Sequence, residues 1–349
     1  MTPQRRTLMS APNRRQLLLA SLGIAGTTAL AACGGEKQNG SQGSSGGDAP
    51  KAEGPVDKVK VGYIEDGNGC MLVAIAKEQG LWAKHGLEAE TVAFTNGPLQ
   101  IQALGTGDLD FGYIGFGALW LPMSGQAKVV SINSRGLADR ILGQPGLASI
   151  EDLRGKPVGV PEGTSGDILL GLALKKAGMT TSDVERLAMD PPTTISAFAS
   201  KQIQGAAIWY PHVATIKNQV PDLVEIVKSA DFNELAFLAA QVAAPNITER
   251  PEVLKKFQAV CKEAFTWAAA NREETTKLLA TFLGAPEDAI ASEQEFVEVY
   301  SADDVTKGSE DGSFEAFLKG LNEVFVEQGK IDKVTPVSEY WLADEYKKA

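Results

Sequence analysis

Side chains suited to holding a small solute recur where the predicted strands of this chain end. They are carboxylates, amides, hydroxyls, a thiol, a guanidinium and aromatic rings, which supply hydrogen bonds, charge and stacking surfaces. Catalysis would need a nucleophile and a base within reach of each other, and the chain has only two histidines, His85 and His212. The candidate ligand-binding residues are Asp66, Asn68, Cys70, Asn96, Tyr113, Phe116, Arg135, Thr164, Ser165, Asp190, Trp209 and Tyr210.

The elements that must position these groups alternate between strands and helices. β-rich runs predict strands at 58–64, 87–94, 109–114, 156–160 and 204–208. Helical spacing predicts helices at 69–80, 98–104, 167–177, 192–200, 251–271, 273–283, 287–298 and 313–328. The order of strand, glycine-containing turn and helix in the first half recurs from residue 156. This alternation predicts an α/β fold in two lobes with largely parallel sheets, whose ligands bind outside the carboxyl ends of the strands.

The first residues of the chain have the pattern of a bacterial lipoprotein signal peptide. Four arginines precede an uncharged apolar stretch that ends in Leu30-Ala31-Ala32-Cys33. We expect cleavage before Cys33 and acylation of its thiol, for example with palmitate, so that the chain is anchored to a membrane facing the periplasm or the exterior. The pair Arg14-Arg15 also fits a twin-arginine export signal, and this route and the general secretory route both stay open.

Composition narrows the classes of partner. The formal net charge of −11 becomes −15 once the four arginines of residues 1–32 are removed, and such an acidic chain is not expected to bind nucleic acid. Apart from Cys33 there are two cysteines, Cys70 and Cys261, in no paired motif, so a metal site is not expected. Cys261 is predicted to be a core residue, and Cys70 to be a packed or lining thiol rather than a reactive one.

Six segments spaced along residues 57–240 carry a family resemblance. They are Val61-Gly62-Tyr63, residues 94–97, residues 105–112, residues 153–160, Gly163-Thr164-Ser165 and Trp209-Tyr210-Pro211. In this order they resemble the substrate-binding proteins of ABC importers, in the group that binds nitrate, taurine, alkanesulfonates and thiamine-precursor pyrimidines. The resemblance implies a periplasmic-binding-protein-like type II fold, in which two α/β lobes joined by a hinge close over one solute and dock onto a permease coupled to an ATPase.

The expected organisation follows from this resemblance. Residues 1–32 are a signal peptide, 33–55 a lipidated cysteine with a flexible tether, 57–132 the first lobe, 133–235 the second lobe, and 236–349 a helical return that packs on the first lobe. We expect a monomer that needs no cofactor.

The resemblance implies a small polar solute, and taurine or an alkanesulfonate is favoured. The resemblance also implies a cradle for an anion, formed by Thr164-Ser165-Gly166 facing Gly69-Cys70. This cradle is preferred to a bidentate clamp by Arg135, for which Arg140 is a less favoured substitute. Acidic residues in or near the same loops favour a ligand with a cationic or hydrogen-bond-donating end, such as a zwitterion or a nitrogenous heterocycle. These acids are Glu65, Asp66, Glu162, Asp190 and Asp231.

Other functions remain open at this stage. Within transport, the alternatives are a thiamine-precursor pyrimidine, a purine or nitrate. Outside it, the same fold serves enzymes of thiamine-precursor and menaquinone synthesis, and a lipoprotein of this kind can also feed a sensory receptor.

Overall fold

The computed structural model describes residues 54–232, 235 and 237–349. The predicted signal peptide, Cys33 and nearly all of the tether lie outside these residues. The described residues belong to one compact unit. None of the helices in the described ranges has the length and hydrophobicity needed to cross a bilayer.

The strands of the described chain are β1 (Asp57–Ile64), β2 (Leu87–Phe94), β3 (Phe111–Ile114), β4 (Lys128–Gly136), β5 (Asp139–Gly143), β6 (Pro157–Val160), β7 (Glu185–Ala188), β8 (Gly205–Trp209), β9 (Val224–Lys228), β10 (Leu238–Ala243) and β11 (Val297–Val299). The helices are α1 (Gly67–Glu78), α2 (Leu81–Lys84), α3 (Gly97–Thr106), α4 (Trp120–Met123), α5 (Ser165–Lys176), α6 (Pro191–Ala199), α7 (His212–Gln219), α8 (Pro251–Ala270), α9 (Arg272–Leu283), α10 (Glu287–Gln294), α11 (Ala302–Glu310), α12 (Ser313–Glu327) and α13 (Ala343–Lys348).

Two sheets of similar plan form the two lobes. The first has the strand order β11-β4-β10-β3-β1-β2, and the second has the order β7-β6-β8-β5-β9. In the first sheet β1 is parallel to β2 and β3, and in the second β6 is parallel to β7 and β8. Each of these central strands leads into a glycine-containing turn and a helix, so the N-termini of α1 and α5 lie at equivalent places in the two lobes.

The expectation of largely parallel sheets is wrong, because each sheet is mixed. β10 is antiparallel to both β3 and β4, and β5 is antiparallel to β8 and β9. The chain crosses between the sheets from β4 to β5 and again from β9 to β10. β5 and β10, the strands that follow these crossings, are each antiparallel to both of their neighbours.

The first crossing lies a few residues later than the expected boundary at 132/133. β4 continues in the first sheet as far as Gly136, and the second sheet begins at Asp139. The return to the first lobe starts with a strand, β10, which is buried along its whole length, and not with a helix.

The last part of the chain contacts the second lobe as well as the first. After α12, Gln328 donates to the carbonyl oxygen of Ile168 at 3.2 Å, and Lys330 pairs with Asp167 at 2.8 Å. Both partners belong to α5. The C-terminal segment therefore joins the two lobes at the side of the cleft.

Candidate functional site

A cavity of about 70 Å³ lies between the two sheets. By this measure one water needs roughly 10–15 Å³, so the cavity has room for about five to seven waters or a small organic solute. Its walls come from both lobes, from both crossings and from α10. The lining residues are Ile64, Asp66, Asn68, Asn96, Gly97, Pro98, Tyr113, Gly115, Phe116, Ala118, Gly136, Ala138, Asp139, Thr164, Ser165, Trp209, Tyr210, Phe237, Ala239, Glu293 and Val297.

On the first lobe, the N-terminus of α1 is occupied by carboxylates of the protein itself. Asp66 caps the helix, and its Oδ1 accepts a hydrogen bond from the Gly69 amide at 2.6 Å. Glu293 reaches in from α10 and accepts from the amides of Gly67 and Asn68 at 2.7 and 2.8 Å. These are the free N–H groups that a helix N-terminus offers to an anion. This end of the cavity therefore has its amide donors already engaged by negative groups.

On the second lobe, Asp139 begins β5 and faces the same cavity. It is 5% exposed, and its Oδ1 has no hydrogen-bond partner among the described residues. The neighbouring Arg140 does not supply one. Its guanidinium binds Glu225 at 3.0 Å and the main-chain oxygens of Leu137 and Asp139.

The three carboxylates converge. All three line the same cavity as Tyr113. Burial raises the pKa of Tyr113 well above its usual value, and the charges of Asp66, Glu293 and Asp139 add to this rise. Trp209 on β8 is paired in register with Asp139 on β5. It donates its indole N–H to Asp66 at 3.0 Å.

Burial dominates the electrostatics of these acids. It raises the pKa of Asp66 to about 6, although the Gly69 amide and the Trp209 indole oppose the rise. It raises the pKa of Asp139 to about 7 against a hydrogen bond from Ser165 and the charge of Arg140. Burial, with the charge of Asp66, also raises the pKa of Glu293 well above the ordinary range. No lysine, arginine or histidine is among the residues that line the cavity in the described chain.

The lobes touch beside the cavity at Gly117, next to the lining residues Phe116 and Ala118. A Cβ on Gly117 would lie 2.1 Å from the backbone nitrogen of Ser165, a distance that no side chain tolerates. Glycine is therefore required for this approach. Together with the bond from Trp209 to Asp66, the contact holds the two lobes together over the cavity.

Nine of the twelve candidate residues come together at the cavity, namely Asp66, Asn68, Asn96, Tyr113, Phe116, Thr164, Ser165, Trp209 and Tyr210. Asn96 also caps α3 by accepting from the Leu99 amide. Of the five loop acids that suggested a cationic ligand end, the cavity is lined by Asp66 alone.

The other three candidates lie elsewhere. Cys70 is fully buried on α1 in the core of the first lobe, where burial raises the pKa of its thiol. Arg135 belongs to β4 rather than to a loop, with Leu238 and Glu298 as its register partners. Asp190 is exposed and caps α6 by accepting from the Thr193 amide at 2.8 Å.

The predicted anion cradle is not formed as expected. Thr164 and Ser165 line the cavity, but Gly69 and Cys70 do not, and the amide of Gly69 is bonded to Asp66. The reason is that the turn before α1 carries its own acidic cap.

Sequence reasoning missed three prominent wall residues, Asp139, Glu293 and Phe237. Glu293 lies 226 positions from its partner Gly67, so no local pattern connects the two. Asp139 precedes the apolar pair Ile141-Leu142, and an isolated acid at the start of a buried strand is the one signal that was available. Phe237 contacts Phe116 with 4.2 Å between ring centroids.

The family is decided by comparison with known sequences. The sequence model of the family described as NMT1/THI5 like matches residues 69–275, more than half of the chain. The chain belongs to the NMT1/THI5-like family. A Brucella abortus protein named as a candidate binding protein is 49% identical over 288 residues, which are 82% of this chain and 90% of the relative. The taurine-binding periplasmic protein of Escherichia coli is 25% identical over 61% of this chain and 70% of its own length.

Solved structures confirm the fold of this NMT1/THI5-like chain. The periplasmic aliphatic sulphonate binding protein of Escherichia coli matches with a TM-score of 0.62 at 22% identity, covering 83% of this chain and 99% of that one. The expected periplasmic-binding-protein-like architecture is thereby confirmed. The desulfurization enzyme DszB matches with a TM-score of 0.61 at 13% identity, covering 84% of this chain and 98% of its own. The fold alone therefore does not separate binding from catalysis.

Neither histidine belongs to the cavity wall. His85 Nε2 lies 2.9 Å from Glu263, and His212 packs edge-on against Trp209 with 5.4 Å between ring centroids. Desolvation lowers the pKa of His212 to about 4, which keeps it neutral. Within the described ranges, no group of three or more acidic, cysteine or histidine residues is placed to hold a metal ion.

Proposed function

We propose that this protein is the extracytoplasmic solute-binding component of an ABC importer. It captures one small polar solute between its lobes and delivers it to a permease and, through it, to an ATPase. The observation that carries this proposal is the cavity between two lobes that touch at Gly117 and through Trp209 and Asp66. The names of the relatives, which include a taurine-binding periplasmic protein and candidate binding proteins, support the same function.

Binding is preferred to catalysis for a chemical reason. The cavity wall offers carboxylates, amides, hydroxyls and aromatic rings, but neither histidine lines it, and the buried Cys70 thiol faces the core. A nucleophile is activated by an adjacent base, by a lowered pKa or by a metal ion. Burial raises the pKa of Cys70, which is the opposite shift.

The favoured solute class is taurine or an alkanesulfonate, with taurine the better fit of the two. Taurine carries an ammonium group that the acidic wall can accept, whereas a simple alkanesulfonate carries only negative charge. A nitrogenous heterocycle is the second candidate, supported by the aromatic side chains of Tyr113, Phe116 and Tyr210 in the wall. Nitrate is disfavoured because the amides of α1 are already bonded to carboxylates.

A ligand screen by thermal shift tests this function. A solute present at 100 times its dissociation constant should raise the unfolding free energy by about 2.7 kcal/mol, in a saturable way. The panel contains taurine, alkanesulfonates, nitrate, pyrimidines, purines and small amines. Turnover of any of these compounds by the purified protein, without a saturable shift, would argue for an enzyme.

We further propose that acylated Cys33 tethers the protein, as a monomer, to the membrane beside its permease. Cys33→Ala should move the protein from the membrane to the soluble fraction. Cys70→Ala is the matched control, because Cys70 lies in the folded core, and it should leave the protein at the membrane. Retention of the Cys33→Ala protein would contradict the lipid anchor.

A further inference from the structure

We propose that Asp139 is the residue that recognises the solute, and that it binds a protonated amine or an amidinium group. The solute class is then an organic cation, or a zwitterion with such a nitrogen at this end. This inference rests on the proposed function and specifies the chemistry of the same cavity.

Asp139 carries an unused hydrogen-bond acceptor. It is almost completely buried, yet its Oδ1 has no hydrogen-bond partner among the described residues. A buried polar atom left unpaired destabilises the protein, and more so when it is charged. Its neighbour Arg140 is committed to Glu225 and to main-chain oxygens. A donor on the solute would satisfy this oxygen.

The charged side chains of the cavity wall are all acidic. Asp139, Asp66 and Glu293 line the cavity together, and no cationic side chain of the described residues lines it. Asp66 and Glu293 have donors from main-chain amides and from an indole, but these donors are dipoles without net charge. A cation in the cavity would offset the cost of burying the carboxylates, and an anion would add to it.

The amides that could hold an anion are engaged by carboxylates at α1. The first turn of α1 is filled by Asp66 and Glu293 at 2.6 to 2.8 Å. At α5 the Gly163 amide, which donates to Asp167 at 2.9 Å, lies before the N-cap residue Thr164, and Thr164 makes no side-chain cap hydrogen bond. A negatively charged group of the solute therefore has to bind away from α1.

The rest of the wall suits an organic group. Phe116, Tyr210, Phe237 and Val297 provide apolar and aromatic surface around the acidic end. Aromatic faces attract ammonium and amidinium groups when these are shielded from water. The cavity of about 70 Å³ admits a small molecule of this kind.

Matched pairs of probes test the inference on the purified full chain. Taurine is compared with isethionate, which has a hydroxyl in place of the ammonium, and benzamidine is compared with benzamide. Binding is measured by calorimetry at pH 8 for the unchanged protein, for Asp139→Asn, and for the control Asp190→Asn. The control removes an equal charge from an exposed cap, where Asn serves as well as Asp.

We expect at least one nitrogen cation to bind at least 10-fold more tightly than its neutral-end partner, since a hydrogen bond to a charged group contributes more than the roughly 1.4 kcal/mol that corresponds to 10-fold. Asp139→Asn should reduce this preference to under about 3-fold, and Asp190→Asn should retain it.

Equal binding of isethionate and taurine, or of benzamide and benzamidine, would overturn the inference while leaving the binding function intact. The same holds if only alkanesulfonates or nitrate bind. An absence of saturable binding across these probes and the wider screening panel would count against the proposed function itself. The preference of the unchanged protein is informative even if Asp139→Asn fails to fold.

Discussion

The N-termini of α1 and α5 occupy equivalent places in the two lobes, yet their buried acids are treated in opposite ways. Asp167, in the first turn of α5, is paired with Arg186 at 2.9 Å and with Lys330 at 2.8 Å. Burial alone would raise the pKa of Asp167, but these partners outweigh it and hold the pKa below its usual value. Asp66 and Glu293, at α1, have no cationic partner among the described residues, and burial raises the pKa of both.

The N-terminus of α5 is a structural contact between parts of the chain, and under our proposal the N-terminus of α1 is part of the recognition site. The acid of α5 is neutralised by Arg186 from the same lobe and by Lys330 from the C-terminal segment, so that it fastens two parts of the chain. Asp66 and Glu293 at α1 accept hydrogen bonds from main-chain amides and from an indole. These donors do not balance the negative charge, and under our proposal a cationic group of the solute does. The same helix position thus serves stability in one lobe and, under our proposal, binding in the other.

Asp167→Ala should have the largest effect on stability. It leaves Lys330 without its anion and Arg186 with Glu162 alone, and breaking a buried pair in this way costs about 3 kcal/mol. Urea unfolding of the unliganded protein measures the loss, and ligand affinity in conditions where the protein is folded should change little. A stability loss below about 1 kcal/mol would show that the ion pairs of Asp167 do not stabilise the contact between α5 and the C-terminal segment.

The pH dependence of stability should run in opposite directions for the acids of the cavity and for Asp167 of α5. Asp66 and Asp139 have folded pKa values of about 6 and about 7, above their ordinary value of 3.8. The folded protein therefore binds more protons than the unfolded chain between about pH 4 and pH 7, and the stability from these groups is lost as the pH rises through that window. Asp167, with a lowered pKa, contributes stability that is lost as the pH falls below its ordinary range.

Asp139→Asn tests whether the charge of Asp139 lowers the stability of the folded protein at high pH. At pH 8 it removes a buried charge, so the unliganded variant should be more stable than the unchanged protein by about 2–3 kcal/mol, with the gain vanishing near pH 4. Thermal or urea unfolding at both pH values measures this, with Asp190→Asn as the control. A variant that is less stable at pH 8 would mean that Asp139 is already neutralised in the unliganded protein.

Trp209→Phe should have a moderate effect. It removes the indole N–H that Asp66 accepts across the lobes, at a cost of about 1–2 kcal/mol, and raises the pKa of Asp66 further because this bond opposes the rise. Unfolding and titration of the unliganded protein are the readouts. Trp120→Phe is the matched control, because its indole N–H has no hydrogen-bond partner among the described residues. Equal effects of both substitutions on stability and on the pKa of Asp66 would show that the hydrogen bond from Trp209 to Asp66 does not stabilise the protein.

Asp190→Ala should have the smallest effect. Losing this cap of α6 costs about 0.5–1 kcal/mol, and ligand affinity should be unchanged because Asp190 does not line the cavity. A loss of affinity with little loss of stability would restore the sequence-based placement of Asp190 at the site.

Local patterns predicted much of the fold. The strand at 87–94 matches β2 at both ends, and the predicted helices at 69–80 and 167–177 differ from α1 and α5 by two residues at the start. β10 was missed because its six residues are all buried, and a run that is apolar except for Gln241 has no period that separates a strand from a helix. β4, which contains Arg135, was also missed, because Ser131, Asn133 and Ser134 interrupt its apolar residues although they are buried.

The site was predictable where one loop supplies it, and unpredictable where distant segments meet. Thr164 and Ser165 follow from the turn after β6, and Asp66 from the turn after β1. Glu293 reaches the cavity only through the packing of α10 near α1, which no spacing in the sequence encodes. Without Glu293 and Asp139, the turn before α1 looked like an anion site, and with them we propose that the cavity prefers a cation.

A crystal structure of the protein with bound taurine or benzamidine would show which group of the cavity holds the nitrogen of the ligand. The prediction is that this nitrogen lies about 2.7–3.2 Å from Asp139 Oδ1, with the amides of Gly67, Asn68 and Gly69 still bonded to Glu293 and Asp66. An anionic oxygen of the ligand on those amides, with either carboxylate displaced, would contradict it.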